Sequence, residues 1–203
     1  MEWQGSAEYD RLLEITEPYS YRERYDIPKL MINAAGDEFF LPDSWKFYWD
    51  SLPGEKHIQY VPNFGHDLSE SDALPNMISF YSSVLNKTTR PKYEWKMEGE
   101  KILITTDPSQ KPVSIKLWSA HNEEARDFRI YALGPKWTST EILVNESGRY
   151  EVEIKEPEKG FKGYFVEITY PGEAPIKVTT GVEVLPRNYL YEPYAAKEPK
   201  GTM

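Results

Sequence analysis

The sequence predicts an α/β unit followed by an all-β domain, and three observations carry that expectation. Up to about residue 90, apolar residues fall at helical spacing or in short continuous runs. Beyond it they alternate with polar residues, as strands with one covered face require. Turn signals built on Gly and Pro recur along that second stretch, roughly every 8–15 residues. The expected organisation is an α/β unit over residues 1–90, a β-domain over 91–185 and a C-terminal tail over 186–203. The tail is rich in Pro, Lys and Glu and is expected to be loose. The join falls around Asn86-Lys87-Thr88-Thr89-Arg90-Pro91-Lys92.

In the first part, residues 6–16 read as a helix that Glu17-Pro18-Tyr19 breaks. Residues 28–34, Pro-Lys-Leu-Met-Ile-Asn-Ala, form an apolar run bounded by Pro and Gly, which suits a strand covered on both faces. A loop follows over residues 35–42. Asp43 or Ser44 can cap a helix whose Trp45, Tyr48, Trp49 and Leu52 share one face, and Pro53-Gly54 ends it. Residues 57–62 give a second short strand, and Asn63-Phe64-Gly65-His66 a second loop. A last helix sets Leu74, Met77, Ile78, Tyr81 and Leu85 on one stripe, with Pro75 acceptable only in its first turn.

In the second part Val113, Ile115 and Leu117 alternate with Ser114, Lys116 and Trp118. Tyr150, Val152 and Ile154 repeat the pattern, as do Tyr164, Val166, Ile168 and Tyr170, and Ile102 with Ile104 adds a further strand. Seven or eight short antiparallel strands in this length suit an immunoglobulin/fibronectin-like β-sandwich.

Composition narrows the function. The formal charge is −9, concentrated in residues 1–90, with no basic stripe to displace phosphate counterions, so nucleic acid is not an expected partner. No apolar run approaches the roughly 18 residues of a membrane span, and the N-terminus as written has no secretory signal. With zero cysteines, thiolate chemistry and disulfides are excluded. His57, His66 and His121 are too scattered to suggest a metal by spacing, and no cofactor is expected.

Asp37 and His66 are the candidate catalytic residues. Each sits in a loop directly after a predicted strand, with a helix-length segment between the strands. A right-handed crossover would make those strands parallel and bring both loops to one carboxyl edge, where open α/β sheets bind ligands. Two residues 29 apart in sequence would then meet as the acid and the base of a Ser-His-Asp triad. Asp37 would bond the imidazole Nδ1–H and leave Nε2 for a serine. Glu38 is the nearest competitor for the acid role. The plainer reading is a turn-forming aspartate and a helix-capping histidine. The nucleophile is missing: no Gly-x-Ser-x-Gly elbow occurs, and Ser44, Ser69 and Ser71 are better explained as helix caps. Only 36 residues precede Asp37, too few for the earlier strands and oxyanion-hole loop of a hydrolase.

The run from Tyr19 to Leu68, with Gly36-Asp37-Glu38-Phe39-Phe40-Leu41-Pro42-Asp43-Ser44 and Pro62-Asn63-Phe64-Gly65-His66, resembles the C-terminal part of the PhoPQ-activated pathogenicity-related protein family, which includes autocrine proliferation repressor-like proteins. The segments 112–130, with Arg126-Asp127-Phe128-Arg129, and 163–180 resemble its appended β-domain. The resemblance, spanning about residues 10–185, implies an incomplete α/β-hydrolase-like βαβα unit followed by a β-sandwich. It implies peptidase- or esterase-like chemistry, with Asp37 on the family's acid and His66 on its histidine. It further implies an exported or secreted protein whose serine lies in an N-terminal half without counterpart here. The expected partner is that missing half or a complementing chain, and homo-oligomer formation would be another way to cover an open sheet edge.

Weaker candidates remain. Arg126-Asp127-Phe128-Arg129 reads as a recognition patch or, more often for such a pattern, a structural ion-pair cluster. Trp95, Trp118 and Trp137 read as a stacking face or as packing. Asn86-Lys87-Thr88 and Asn145-Glu146-Ser147 fit the glycosylation pattern, which matters only in a eukaryotic secretory setting. Two functions follow: the acid-and-histidine portion of a serine-hydrolase-like protein, inactive alone, or a non-catalytic protein- or glycan-binding module on a degenerate hydrolase scaffold.

Overall fold

The computed structural model describes residues 3–172 and 174–192; most of the expected tail, residues 193–203, lies outside the described residues. The chain is a mixed helix-and-sheet protein. Helix α1 runs Ala7–Thr16, started by Ser6, whose hydroxyl accepts the Tyr9 N–H. Strand β1, Lys29–Ala34, pairs in parallel with β2, Lys56–Val61, in a register from Lys29 opposite Lys56 to Ala34 opposite Val61. Helix α2, Ala73–Leu85, follows β2, with Pro75 in its first turn where its missing N–H costs nothing.

One element differs from the sequence reading. The segment after Pro42 forms two short 3₁₀ turns, Ser44–Phe47 and Trp49–Ser51, rather than one helix. Asp43 makes no cap hydrogen bond. Its buried carboxylate turns instead to Arg126 at 2.6 Å, and Lys46 lies 3.5 Å away. A buried carboxylate facing an arginine gains more there than at a cap.

Beyond the join, β3 (Tyr93–Glu98), β4 (Lys101–Thr106) and β7 (Arg149–Glu153) make a three-stranded antiparallel sheet. A second sheet is ordered β10 (Glu183–Leu185), β8 (Phe161–Tyr170), β5 (Ser114–Asn122) and β6 (Thr138–Ile142), with β9 (Ile176–Thr179) also on β8. The two sheets face each other across a core of Ile102, Ile104, Tyr150 and Val152 against Ile115, Val166 and Ile168. The alternation read from sequence is what fills this core.

Strand β8 is buried on both sides. Its other face gives Phe161 and Phe165 to a second core that joins the two parts of the chain, with Ile58 and Tyr60 from β2, Trp45, Phe128 and Trp137. Trp137 and Trp118 pack on Phe165 at 5.3 and 6.5 Å, and Trp95 packs on Trp45 at 4.8 Å. The three tryptophans are therefore packing residues. The join itself is tied down: Arg90 Nη2 lies 2.7 Å from Glu55 Oε2, and Glu55 Oε1 lies 3.0 Å from His57 Nε2.

The outer side of β2 is covered by β9. The Tyr60 N–H donates to Thr179 Oγ1 at 3.1 Å, and that hydroxyl lies 3.4 Å from the Ile58 carbonyl. The other side of β1 pairs with no strand among the described residues. No helix of the described residues is long and apolar enough to cross a membrane.

Candidate active site

Because β1 and β2 are parallel, the loops that leave them emerge at the same edge, and Asp37 meets His66 there. Asp37 Oδ2 lies 3.0 Å from His66 Nδ1. The other carboxylate oxygen, Oδ1, accepts the N–H groups of Phe39 at 2.8 Å and Phe40 at 3.1 Å. Its side chain is 9 % exposed and that of His66 is 56 % exposed. The carboxylate is thus held by three hydrogen bonds while the imidazole stays open to solvent.

Burial alone would raise the Asp37 pKa. The N–H of Phe39, the bond to His66 and the N–H of Phe40 outweigh it, so the carboxyl titrates below its ordinary range. It stays ionised at neutral pH and favours the tautomer with the proton on Nδ1. The Phe39 ring meets the imidazole edge-on at 4.9 Å, and the Phe40 ring lies 6.0 Å from it.

Glu38 has a different task. Its Oε2 accepts the backbone N–H of His66 at 2.7 Å, so it holds the histidine loop and leaves the ring to Asp37. Gly65 makes that possible, since a Cβ there would collide with the Glu38 carboxylate. The sequence offered Glu38 as an alternative acid; only the position of the loops separates the two carboxylates.

Both loops are braced by the second part of the chain. Gly36 lets the segment 128–130 approach, with its N–H bonded to the Phe64 carbonyl and its carbonyl accepting the Ile130 N–H at 2.9 Å. A Cβ on Gly36 would lie 2.8 Å from the Phe64 carbonyl oxygen and 3.2 Å from the Ile130 nitrogen. Asn63, at φ 63°, clamps the histidine loop: its Nδ2 donates to the Trp137 carbonyl and its Oδ1 accepts the Trp137 N–H, each at 2.9 Å. Asn63 was visible to sequence reasoning only as a loop residue, although Asn-x-Gly in a loop signals left-handed backbone.

The 126–129 segment is part of this brace. Phe128 is buried in the shared core, Arg126 pairs with Asp43, and Arg129 Nη2 pairs with Asp127 at 2.5 Å. It is an ion-pair cluster, with Arg126 reaching across to the first part of the chain.

No hydrogen bond among the described residues joins a hydroxyl to the imidazole. Ser71 caps α2 by accepting the Ala73 N–H at 3.1 Å. No group of three His, Cys, Asp or Glu residues that could hold a metal occurs among the described residues. A groove of about 960 Å³ lies elsewhere, between Trp49, His57, Tyr93 and Trp95.

The chain is 28 % identical over 214 residues to autocrine proliferation repressor protein A of Dictyostelium discoideum. The match takes in 92 % of this chain and 43 % of that protein, so the chain spans less than half the length of this relative. The family model for PhoPQ-activated pathogenicity-related proteins matches residues 1–129, which hold Asp37, His66 and the bracing Arg126–Arg129 segment. The chain belongs to the PhoPQ-activated pathogenicity-related protein family.

Proposed function

We propose that this chain is the C-terminal portion of a serine-hydrolase-like protein, supplying the acid and histidine of a Ser-His-Asp triad. Residues 1–90 would be the end of an α/β-hydrolase-like domain and residues 91–185 an immunoglobulin/fibronectin-like β-sandwich that holds its loops. Asp37 fixes the Nδ1–H tautomer of His66, and Nε2 takes the proton of a serine hydroxyl and returns it to the leaving group. The serine comes from a segment outside this sequence, so the chain alone is inactive. The reaction class is acyl transfer to water from a peptide or ester.

The observation that carries this reading is the 3.0 Å bond between Asp37 Oδ2 and His66 Nδ1, with both Asp37 oxygens occupied and the ring open. The experiment joins the unmatched N-terminal part of the Dictyostelium relative to this chain and applies a fluorophosphonate. Labelling is expected, and His66→Ala should slow it by up to roughly 10⁶-fold. A folded joined protein that stays unlabelled rejects the reading.

The second reading, a non-catalytic binding module, is favoured by the name of the relative, which describes repression of proliferation. Under it, His66→Ala would leave partner binding and any biological effect unchanged.

A further inference from the structure

Helix α2 leaves an apolar row in solvent. A helix on a sheet buries its apolar stripe and shows its polar side. Here the buried face mixes Ala73 and Phe80 with the polar Asn76, Ser79 and Ser83. Asn76 Nδ2 donates to Gln59 Oε1 at 2.7 Å and to the Lys177 carbonyl at 2.8 Å, and Asn76 Oδ1 accepts the Lys177 N–H at 2.8 Å. Leu74, Met77, Ile78, Tyr81 and Leu85, one row at helical spacing, are 49–63 % exposed. A contiguous apolar row of this size on a soluble surface marks a contact.

The open edge of β1 is a second, independent feature. The Lys29 and Ala35 N–H groups bond the Glu55 and Val61 carbonyls of β2. By the two-residue alternation of a strand, Leu30, Ile32 and Ala34 turn their N–H and C=O outward. Helix α1 adds a third feature, since none of its residues is buried.

We propose that the apolar row of α2 and the outer edge of β1 form one docking surface for the nucleophile-bearing segment of a longer family protein, which adds a strand beside β1 and a helix across α2. This rests on the hydrolase reading above and names where the missing group enters. Two observations select that occupant. More than half of the Dictyostelium relative's length lies outside its match to this chain, which is ample for further strands and helices. A strand added parallel to β1 also ends at the edge where Asp37 and His66 stand. A second copy fits less well: a two-fold axis would pair β1 with β1 antiparallel, and that copy brings no Gly-x-Ser-x-Gly elbow.

Met77, half exposed on the row, reports on the surface through its oxidation by peroxide, with the partly buried Met31 as internal reference. In the present chain alone, Met77 should oxidise several-fold faster than Met31. In the chain joined to the relative's unmatched N-terminal part, its oxidation should slow at least tenfold, and the Leu30, Ile32 and Ala34 amides should exchange more slowly. Met77→Glu with Tyr81→Glu in the joined protein should restore fast exchange at those amides. A joined protein in which Met77 stays as reactive as in the chain alone, folded or not, overturns the proposal. So does a chain that already shields Met77 by itself, through self-association (Met77→Cys cross-linking copy to copy) or through its own tail. Met77 protection without fluorophosphonate labelling keeps the docking surface and rejects the hydrolase reading; labelling with Met77 unprotected does the reverse.

Discussion

Strand β8 and helix α2 are both apolar, yet the fold treats them oppositely. Strand β8 is covered on both faces, by the three-stranded sheet and by the core shared with β2, and Tyr164, Phe165, Val166 and Ile168 are wholly inaccessible. Helix α2 turns its apolar row outward and binds β9 and β2 through Asn76. The first element is finished within this chain. The second leaves its apolar row exposed among the described residues. The Asp37–His66 pair lies between these extremes: Trp137 and Ile130 brace its loops, and the His66 ring is more than half exposed.

The largest effect should come from the finished side. Phe165→Ala removes a ring that meets Tyr60, Trp118 and Trp137, and should cost about 3–5 kcal/mol in urea unfolding. Because that core joins the two parts, both should lose structure together; separate transitions for residues before and after the join would break the comparison. Asn63→Ala should cost about 2 kcal/mol, since it removes two hydrogen bonds to Trp137 and places alanine at φ 63°. Asn63→Gly should recover the backbone share and not the hydrogen-bond share.

Glu38→Ala should cost about 1 kcal/mol and speed exchange of the His66 amide, while Glu38→Gln, which keeps an acceptor oxygen, should restore protection. Unchanged exchange in the alanine variant would mean that the histidine loop does not depend on this contact.

The Glu55–Arg90 tie predicts a pH dependence. The Arg90 guanidinium outweighs burial and, with the His57 bond, holds the Glu55 carboxyl down at about 2 against an ordinary 4.5. A depressed folded-state pKa gives stability that is fully present above pH 4.5 and is lost as pH falls toward 2. Arg90→Ala should flatten the stability profile across that window, and an unchanged slope would place the acid sensitivity elsewhere. Glu55 is partly solvated, which keeps this effect modest. The smallest effect belongs to α2: Ile78→Ser should change the stability of this chain by no more than about 0.5 kcal/mol, because more than half of the residue is exposed. A large loss there would contradict the open face.

Local pattern made much of this legible. A continuous apolar run marked β1, a short strand segment before a loop marked β2, alternation marked β5, β7 and β8, and a helix-length spacer set the two loops one crossover apart, enough to pair Asp37 with His66. The 3₁₀ turns after Pro42 were misread as one helix because Asp43 looks like a cap until Arg126, 83 residues later, takes its carboxylate. The clamp of Asn63 on Trp137 was invisible for the same reason, its partners standing 74 residues apart.

The sequence by itself determined α1, α2 and the strands β1, β2, β4, β5, β7 and β8, and that a carboxylate and an imidazole leave neighbouring strands, because side-chain periodicity and chain connectivity are local properties. Only the tertiary structure decided which face of α2 turns inward. Its apolar and polar stripes share one period, so periodicity alone leaves the choice open. The inward face is the one that sets Phe80 against His57 and matches Asn76 to Gln59 and Lys177, whose polar groups need partners once they are out of water.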